Sequence, residues 1–311
     1  MKKIAITIII IIISLSSIYA QEVKIAQGKL TVDGCFWGLY RYTKDTTTIN
    51  SFARKNAFLG MTATITNWAA LRLYIDVAET TGKHLYDAYA TIKPNSNLSF
   101  IIGQFKLPLG VEVLTKPQNL ELIEYSLIGR TPRTPKGTRD IGIQGAYTHK
   151  LFDLAIAVVN GSGRNVLLDG DNYKNIAGRF IVKPFNKPTL YAGINTYFGK
   201  YTTGNFQRIG LEFNYTVASA IFKTEFLSTK DAALKGSGYY VQAGYNLNKL
   251  QPMCRYSAFK YQNSDWCNEY AIGLNYRPFS DNVKVMLNYK HEKLSSTLSQ
   301  NGVLAQLQLA F

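Results

Sequence analysis

Ten basic residues fall at alternate positions of strand-like runs: Arg41, Arg72, Arg179, Lys183, Arg208, Lys223, Arg255, Arg277, Lys284 and Lys290. Alternation puts them on one face of their strands, together with Asp76, Asp87, Asp140, Glu212 and Glu225. Ten cations against five carboxylates leave that face positive, and a positive wall of low dielectric concentrates anions. A second basic group, Lys116, Arg130, Arg133 and Lys136, sits in a long stretch with no alternation. The guanidinium fork can donate two parallel bonds to an oxyanion, whereas lysine acts as a point charge. Rings of such residues make anion or phosphate pores. The chemistry on offer is reversible anion binding along a path. The plainer reading of any one wall charge is a solvated member of a balanced set, with the acidic residues paired to basic neighbours and holding the wall.

Other chemistries lack their residues. His84, His149 and His291 show no metal-ligand spacing and no HExxH pattern. The GSG at 161–163 has no nucleophile-elbow flanks, and no Walker-type glycine loop occurs. Neither a catalytic centre, a metal nor a cofactor is expected. The basic residues are spread along strands rather than gathered in one patch, which argues against nucleic acid as a partner.

The elements that position these charges begin after residue 20. The chain opens MKKIAITIIIIIISLSSIYAQ, two lysines before an apolar run and then small residues up to Ala20. This is the pattern of a secretory signal peptide over 1–20, although Ile18 occupies a position that usually takes a small residue. Cleavage there would lower the formal charge from +15 to +13, because Lys2 and Lys3 leave. The full chain holds 21 tyrosines and 16 phenylalanines with only 18% charged residues, a balance that fits aromatic girdles at two membrane interfaces. Cys35, Cys254 and Cys267 are too few and scattered for a disulfide framework, and free thiols are expected.

Sixteen alternating runs follow, at about 30–42, 54–66, 69–79, 84–92, 98–106, 139–148, 151–160, 174–183, 189–198, 206–216, 218–228, 238–246, 249–261, 267–276, 282–292 and 302–311. Every second break is tight, such as Asn67, PNSN at 94–97 and PFSD at 278–281. The others are longer, such as KDTTTINSFA, GSGRNVLLDGDN and STKDAALKG. Short turns at one rim and long loops at the other mark outer-membrane barrels. The expected fold is all-β: a transmembrane antiparallel β-barrel of about 16 strands, wide enough to leave an aqueous channel.

Between GQFKLPLG and RDIGIQG, residues 107–138 lack alternation and carry a weak helical stripe, Leu120, Ile123 and Leu127. A loop this long inside a compact β protein is usually functional. It is expected to fold inward as the third long loop and to constrict the pore. Arg130 and Arg133 then face the pore or reach the outer rim and its lipopolysaccharide. Glu121 and Glu124 are expected to anchor the loop to the wall.

GQFKLPLG, GTRDIGIQG, AVVNGSG, NYKNIAGRFIVKP, RYSAFKY and YAIGLNYRPFSDNVKVMLNY occur in order over most of the chain. Together they resemble the phosphate-selective porin O and P family. The resemblance implies a sixteen-strand barrel, a homotrimer, an inward third loop and an anion-preferring outer-membrane pore for small inorganic anions, with phosphate or polyphosphate favoured. The terminal Phe311 is similar to the signal that the barrel-assembly machinery recognises. The loops are short beside those of better-known members, and the family's phosphate-binding residues do not align to specific positions here. A non-transporting barrel that binds a surface polymer or partner through its loops is the alternative.

Overall fold

A seam between the two ends of the chain closes the molecule into a ring. Trp37 Nε1 donates to Gln308 Oε1 at 2.9 Å across 271 residues, and Gly34 and Phe311 exchange backbone hydrogen bonds of 3.0 Å. The computed structural model describes residues 22–25, 28–45, 48–130, 133, 136–201, 204–295 and 298–311; the expected signal peptide lies outside them.

A short strand, β1 (Glu22–Ile25), pairs with the start of β2. The ring itself consists of β2 (Gly28–Lys44), β3 (Thr48–Thr66), β4 (Ala69–Asp76), β5 (Leu85–Ile92), β6 (Leu98–Lys106), β7 (Arg139–Thr148), β8 (Phe152–Val159) and β9 (Asn175–Val182). It continues through β10 (Leu190–Tyr201), β11 (Gly204–Val217), β12 (Ala220–Asp231), β13 (Leu234–Tyr245), β14 (Leu250–Tyr261), β15 (Cys267–Tyr276), β16 (Val283–Lys293) and β17 (Ser299–Ala310). Each strand pairs antiparallel with the next, and β17 returns to β2. The result is a closed sixteen-strand barrel. Closure satisfies the backbone without water, as lipid requires.

Side chains sort by parity. On β16, Val285, Leu287 and Tyr289 point outward, with Leu287 52% exposed, while Lys284, Met286, Asn288 and Lys290 are buried on the lumen side. Leu71, Ile102, Ile156, Leu211 and Ile272 are likewise exposed on the outer face. In a membrane that face meets acyl chains, so its exposure carries no hydrophobic penalty. The three cysteines are free thiols, as expected.

The outer rim departs from expectation in strand height. STKDAALKG was expected as a long loop, yet Asp231 pairs with Leu234 and the segment belongs to β12 and β13. KDTTTINSFA is mostly strand too, since β3 begins at Thr48. Above the apolar band both faces meet water, so polar residues replace the alternation although the ladder continues.

Candidate functional site

The segment after β6 turns into the lumen along a track laid by wall residues. Its root, Leu107 and Leu109, is buried with Phe105, Ala157, Val159, Ala177, Tyr197 and Phe206 on the lumen face of β6 and β8–β11. Gly110 has φ +73, and a Cβ there would collide with the Glu225 carboxylate and the Arg133 guanidinium, so glycine is required on both counts. The short helix α1 (Val111–Leu114) follows, then a 3-10 turn at Pro117–Asn119. The expected stripe at Leu120, Ile123 and Leu127 forms no helix: residues 120–127 run as bends and irregular chain. Their apolar side chains reach different wall clusters, Ile123 with Leu39, Met286 and Leu304, and Leu127 with Leu227 and Phe259.

Polar anchors complete the track. Ile123 N–H donates to Asn288 Oδ1 at 2.8 Å, Leu127 N–H to Ser257 Oγ at 3.2 Å, and Glu112 N–H to Glu225 Oε1 at 2.9 Å. Lys284 donates to the carbonyls of Gln118 and Leu120 at 2.9 and 2.8 Å. Glu121 pairs with Lys223 and accepts from Gln242; Glu112 pairs with Arg255 at 3.0 Å. Glu124 pairs with Arg41 at 2.6 Å and Lys290 at 2.7 Å. The anchoring expected of Glu121 and Glu124 is what the geometry shows.

This track redistributes the basic residues. Arg133 is 1% exposed and pairs at 2.6 Å with Glu225, which is 0% exposed. It faces neither the pore nor the rim, because the loop carries it into the wall. Arg255 joins Glu112 and Glu269. Arg179 forms a two-bond pair with Glu212, Arg208 with Asp231, and Arg72 with Asp33. Lys116 is exposed at the head of the 3-10 turn.

An opening of about 830 Å3 remains between the free side of the loop and the wall from β16 through the β17–β2 seam to β7. Among the described residues, nine cations line it, Arg41, Lys55, Lys83, Lys106, Arg130, Lys136, Arg139, Arg164 and Lys290, against only Glu124 and Glu292. Of the fourteen basic residues singled out on the strands and in the loop, only Arg41, Arg130, Lys136 and Lys290 are there. Arg130 is held at the edge by Glu269 at 2.5 Å and Glu292 at 3.0 Å.

Strict alternation misses Lys55, for an identifiable reason. Trp37 pairs with Asn56 and Gly38 with Arg54, so Lys55 is the extra residue of a β-bulge. A bulge re-aims one side chain, and here the ammonium reaches the Ile123 carbonyl and lies 5.2 Å from the Trp37 ring. Lys106, the last residue of β6, donates to the Thr115 carbonyl at 3.3 Å. Arg139 and Arg164 lie over the Tyr86 ring at 4.7 and 4.0 Å and pair with Asp87 and Glu79. Strand termini and loops carry no parity signal, so these three escaped as well.

Burial raises the Glu124 carboxyl, but the charges of Lys290, Arg41 and Arg130 outweigh it and hold it down at about 2. A folded value below the ordinary 4.5 means the carboxylate's anchoring is complete above pH 4.5 and is lost as pH falls through about 2. Glu124→Gln at pH 7 should therefore reproduce the protonated state, releasing Arg41 toward the opening while Arg130 and Lys290 keep their pairs with Glu269 and Glu292. The expected result is a shift of the reversal potential in a potassium chloride gradient toward the anion side, relative to the native chain at the same pH.

The sequence matches the family described as phosphate-selective porin O and P over residues 29–206 and 191–311. No curated protein matches the chain. Among solved structures, a loop L8 deletion mutant of OmpT, an outer-membrane protein of Vibrio cholerae, superposes with a TM-score of 0.70 at 10% identity, covering 92% of this chain and 100% of that one. An anion-selective porin from Comamonas acidovorans gives 0.69 at 13% identity, covering 91% and 100%. The outer-membrane channel DcaP of Acinetobacter baumannii gives 0.69 at 13%, covering 94% and 100%.

Proposed function

Because the chain belongs to the phosphate-selective porin O and P family, we propose that this outer-membrane channel passes small inorganic anions passively, phosphate or polyphosphate being the favoured class. The observation that carries the reading is the opening beside the inward loop, with nine cations and two carboxylates. Lys55, Lys106, Arg139, Arg41, Arg130 and Lys136 offer successive moderate sites, and none of these closes a cage around a solute. Arg133, Lys223, Arg255 and Lys284 serve the path indirectly, by fixing the loop against the opposite wall. Export through a cleaved signal peptide, recognition of the Phe311 end by the assembly machinery, and association as a homotrimer complete the proposal.

The test is a planar bilayer holding the refolded barrel across a potassium chloride gradient. The reversal potential should lie on the anion side, and added phosphate should block the chloride current in a concentration-dependent way. A reversal potential on the cation side would overturn the anion path. A folded barrel with no conductance would favour a surface-binding role.

A further inference from the structure

The outer face of the barrel carries a charge pattern that the pore does not use. On β12, Phe226, Ser228 and Lys230 alternate with Glu225, Leu227 and Thr229, which are buried on the lumen side. On β13, Lys235, Ser237 and Tyr239 alternate in the same way with Gly236, Gly238 and Tyr240. Lys230 stands directly opposite Lys235, and Lys260 of β14 opposite Ser237. All three ammonium groups therefore project from the lipid-facing side at the outer rim. One step toward the membrane lies the Ser228–Ser237 pair, and the next step is Phe226–Tyr239. Cations, hydroxyls and aromatic rings follow one another from rim to bilayer.

Like charges directly opposite in an antiparallel ladder repel. Among the described residues no carboxylate pairs with Lys230 or Lys235, and the strand carboxylates nearby face the lumen: Glu225 with Arg133, Asp231 with Arg208, Glu269 with Arg255. Both lysines are exposed, so an anion from outside the chain can bridge them. Lys200 on β10, Lys293 on β16 and Lys44 on β2 extend the outward row, set by their pairing with the outward residues Asn205, Asn268 and Asn301.

We propose that this lysine row binds the phosphate groups of a phosphorylated glycolipid in the outer leaflet. Lys230 and Lys235 share one phosphate, the Ser228 and Ser237 hydroxyls face its sugar, and Phe226 and Tyr239 lie along the acyl chains. A free inorganic anion would satisfy the charges but leave the aromatic continuation unused. The site is on the outside of the wall, so it stands or falls independently of conduction.

The test measures binding of purified lipopolysaccharide to the detergent-solubilised barrel, with folding monitored by the heat-dependent gel shift. Lys230→Ser with Lys235→Ser should weaken binding about thirtyfold, two cations at an anionic surface each contributing several-fold. Lys230→Arg with Lys235→Arg should retain it, and the reversal potential in potassium chloride should be unchanged in both. Enzymatically dephosphorylated lipopolysaccharide should bind the native chain as weakly as intact lipopolysaccharide binds the serine variant. Equal affinity of native and serine-substituted barrels, indifference to dephosphorylation, or displacement of the glycolipid by millimolar inorganic phosphate would each overturn the proposal.

Discussion

Glu225→Ala should detach the inward loop from its wall at a cost of about 3–5 kcal/mol, the penalty for stranding a buried charge by removing its partner. Arg133 is almost wholly enclosed, and its carboxylate partner is entirely so. Glu225 also accepts from the Glu112 backbone and from the Tyr240 hydroxyl at 2.9 Å, so two donors and one cation lose their partner together. The wall should survive, because β12 keeps twelve residue pairs with β11 and twelve with β13. The damage should appear in the segment 107–138 as new protease cleavage and as a larger, noisier single-channel current. Arg133→Met combined with Glu225→Leu should restore the part of the docking lost to the stranded charge, since two apolar groups can replace a buried pair, while the Glu112 N–H and Tyr240 hydroxyl stay without their acceptor. A double-mutant cycle separates that coupling from packing loss. If Glu225→Ala leaves protease resistance and conductance as they were, the ion pair does not hold the loop.

The second large effect concerns selectivity. Lys55 and Lys106 reach carbonyl oxygens rather than carboxylates, so among the described residues neither is tied up in an ion pair. Each contributes about 1 kcal/mol at contact distance in water-like dielectric, reduced by screening at moderate salt. Lys55→Gln with Lys106→Gln should therefore lower the chloride-over-potassium permeability ratio by about tenfold. Arg179→Gln and Arg208→Gln should change it by less than about twofold, because Glu212 and Asp231 already neutralise them and neither lines the opening. Equal effects from the two pairs of substitutions would mean that the whole wall, rather than the loop-side opening, sets the preference.

The contrast between these pairs marks the limit of what the sequence discloses. Parity along Val283–Lys290 identifies the lumen side correctly, since lipid on one face and water on the other impose different residues. The stretch 107–138 stands out for the opposite reason: it meets neither lipid nor a regular ladder. Whether a lumen cation keeps its charge free is a different matter, decided by where a carboxylate lands in three dimensions. Arg133 and Arg130 lie three residues apart, yet one is sealed against Glu225 and the other edges the opening. Lys55 was hidden by a one-residue bulge. Leu120, Ile123 and Leu127 imitate a helix because the loop must present apolar groups to several wall clusters in succession, and their spacing reflects the positions of those clusters.

The seam between β2 and β17 bears on how such a ring is made. Trp37 cannot meet Gln308 until nearly the whole chain is available. Until β17 docks, β2 and β16 each present a row of unpaired backbone donors and acceptors, the template on which strands of other chains add. Contacts this distant in sequence form slowly. Ring closure is thus both the latest event in assembly and the one that ends the danger of intermolecular strand addition. The twelve residues of β17 act as the clasp, and a chain lacking them would remain a sheet with two adhesive margins.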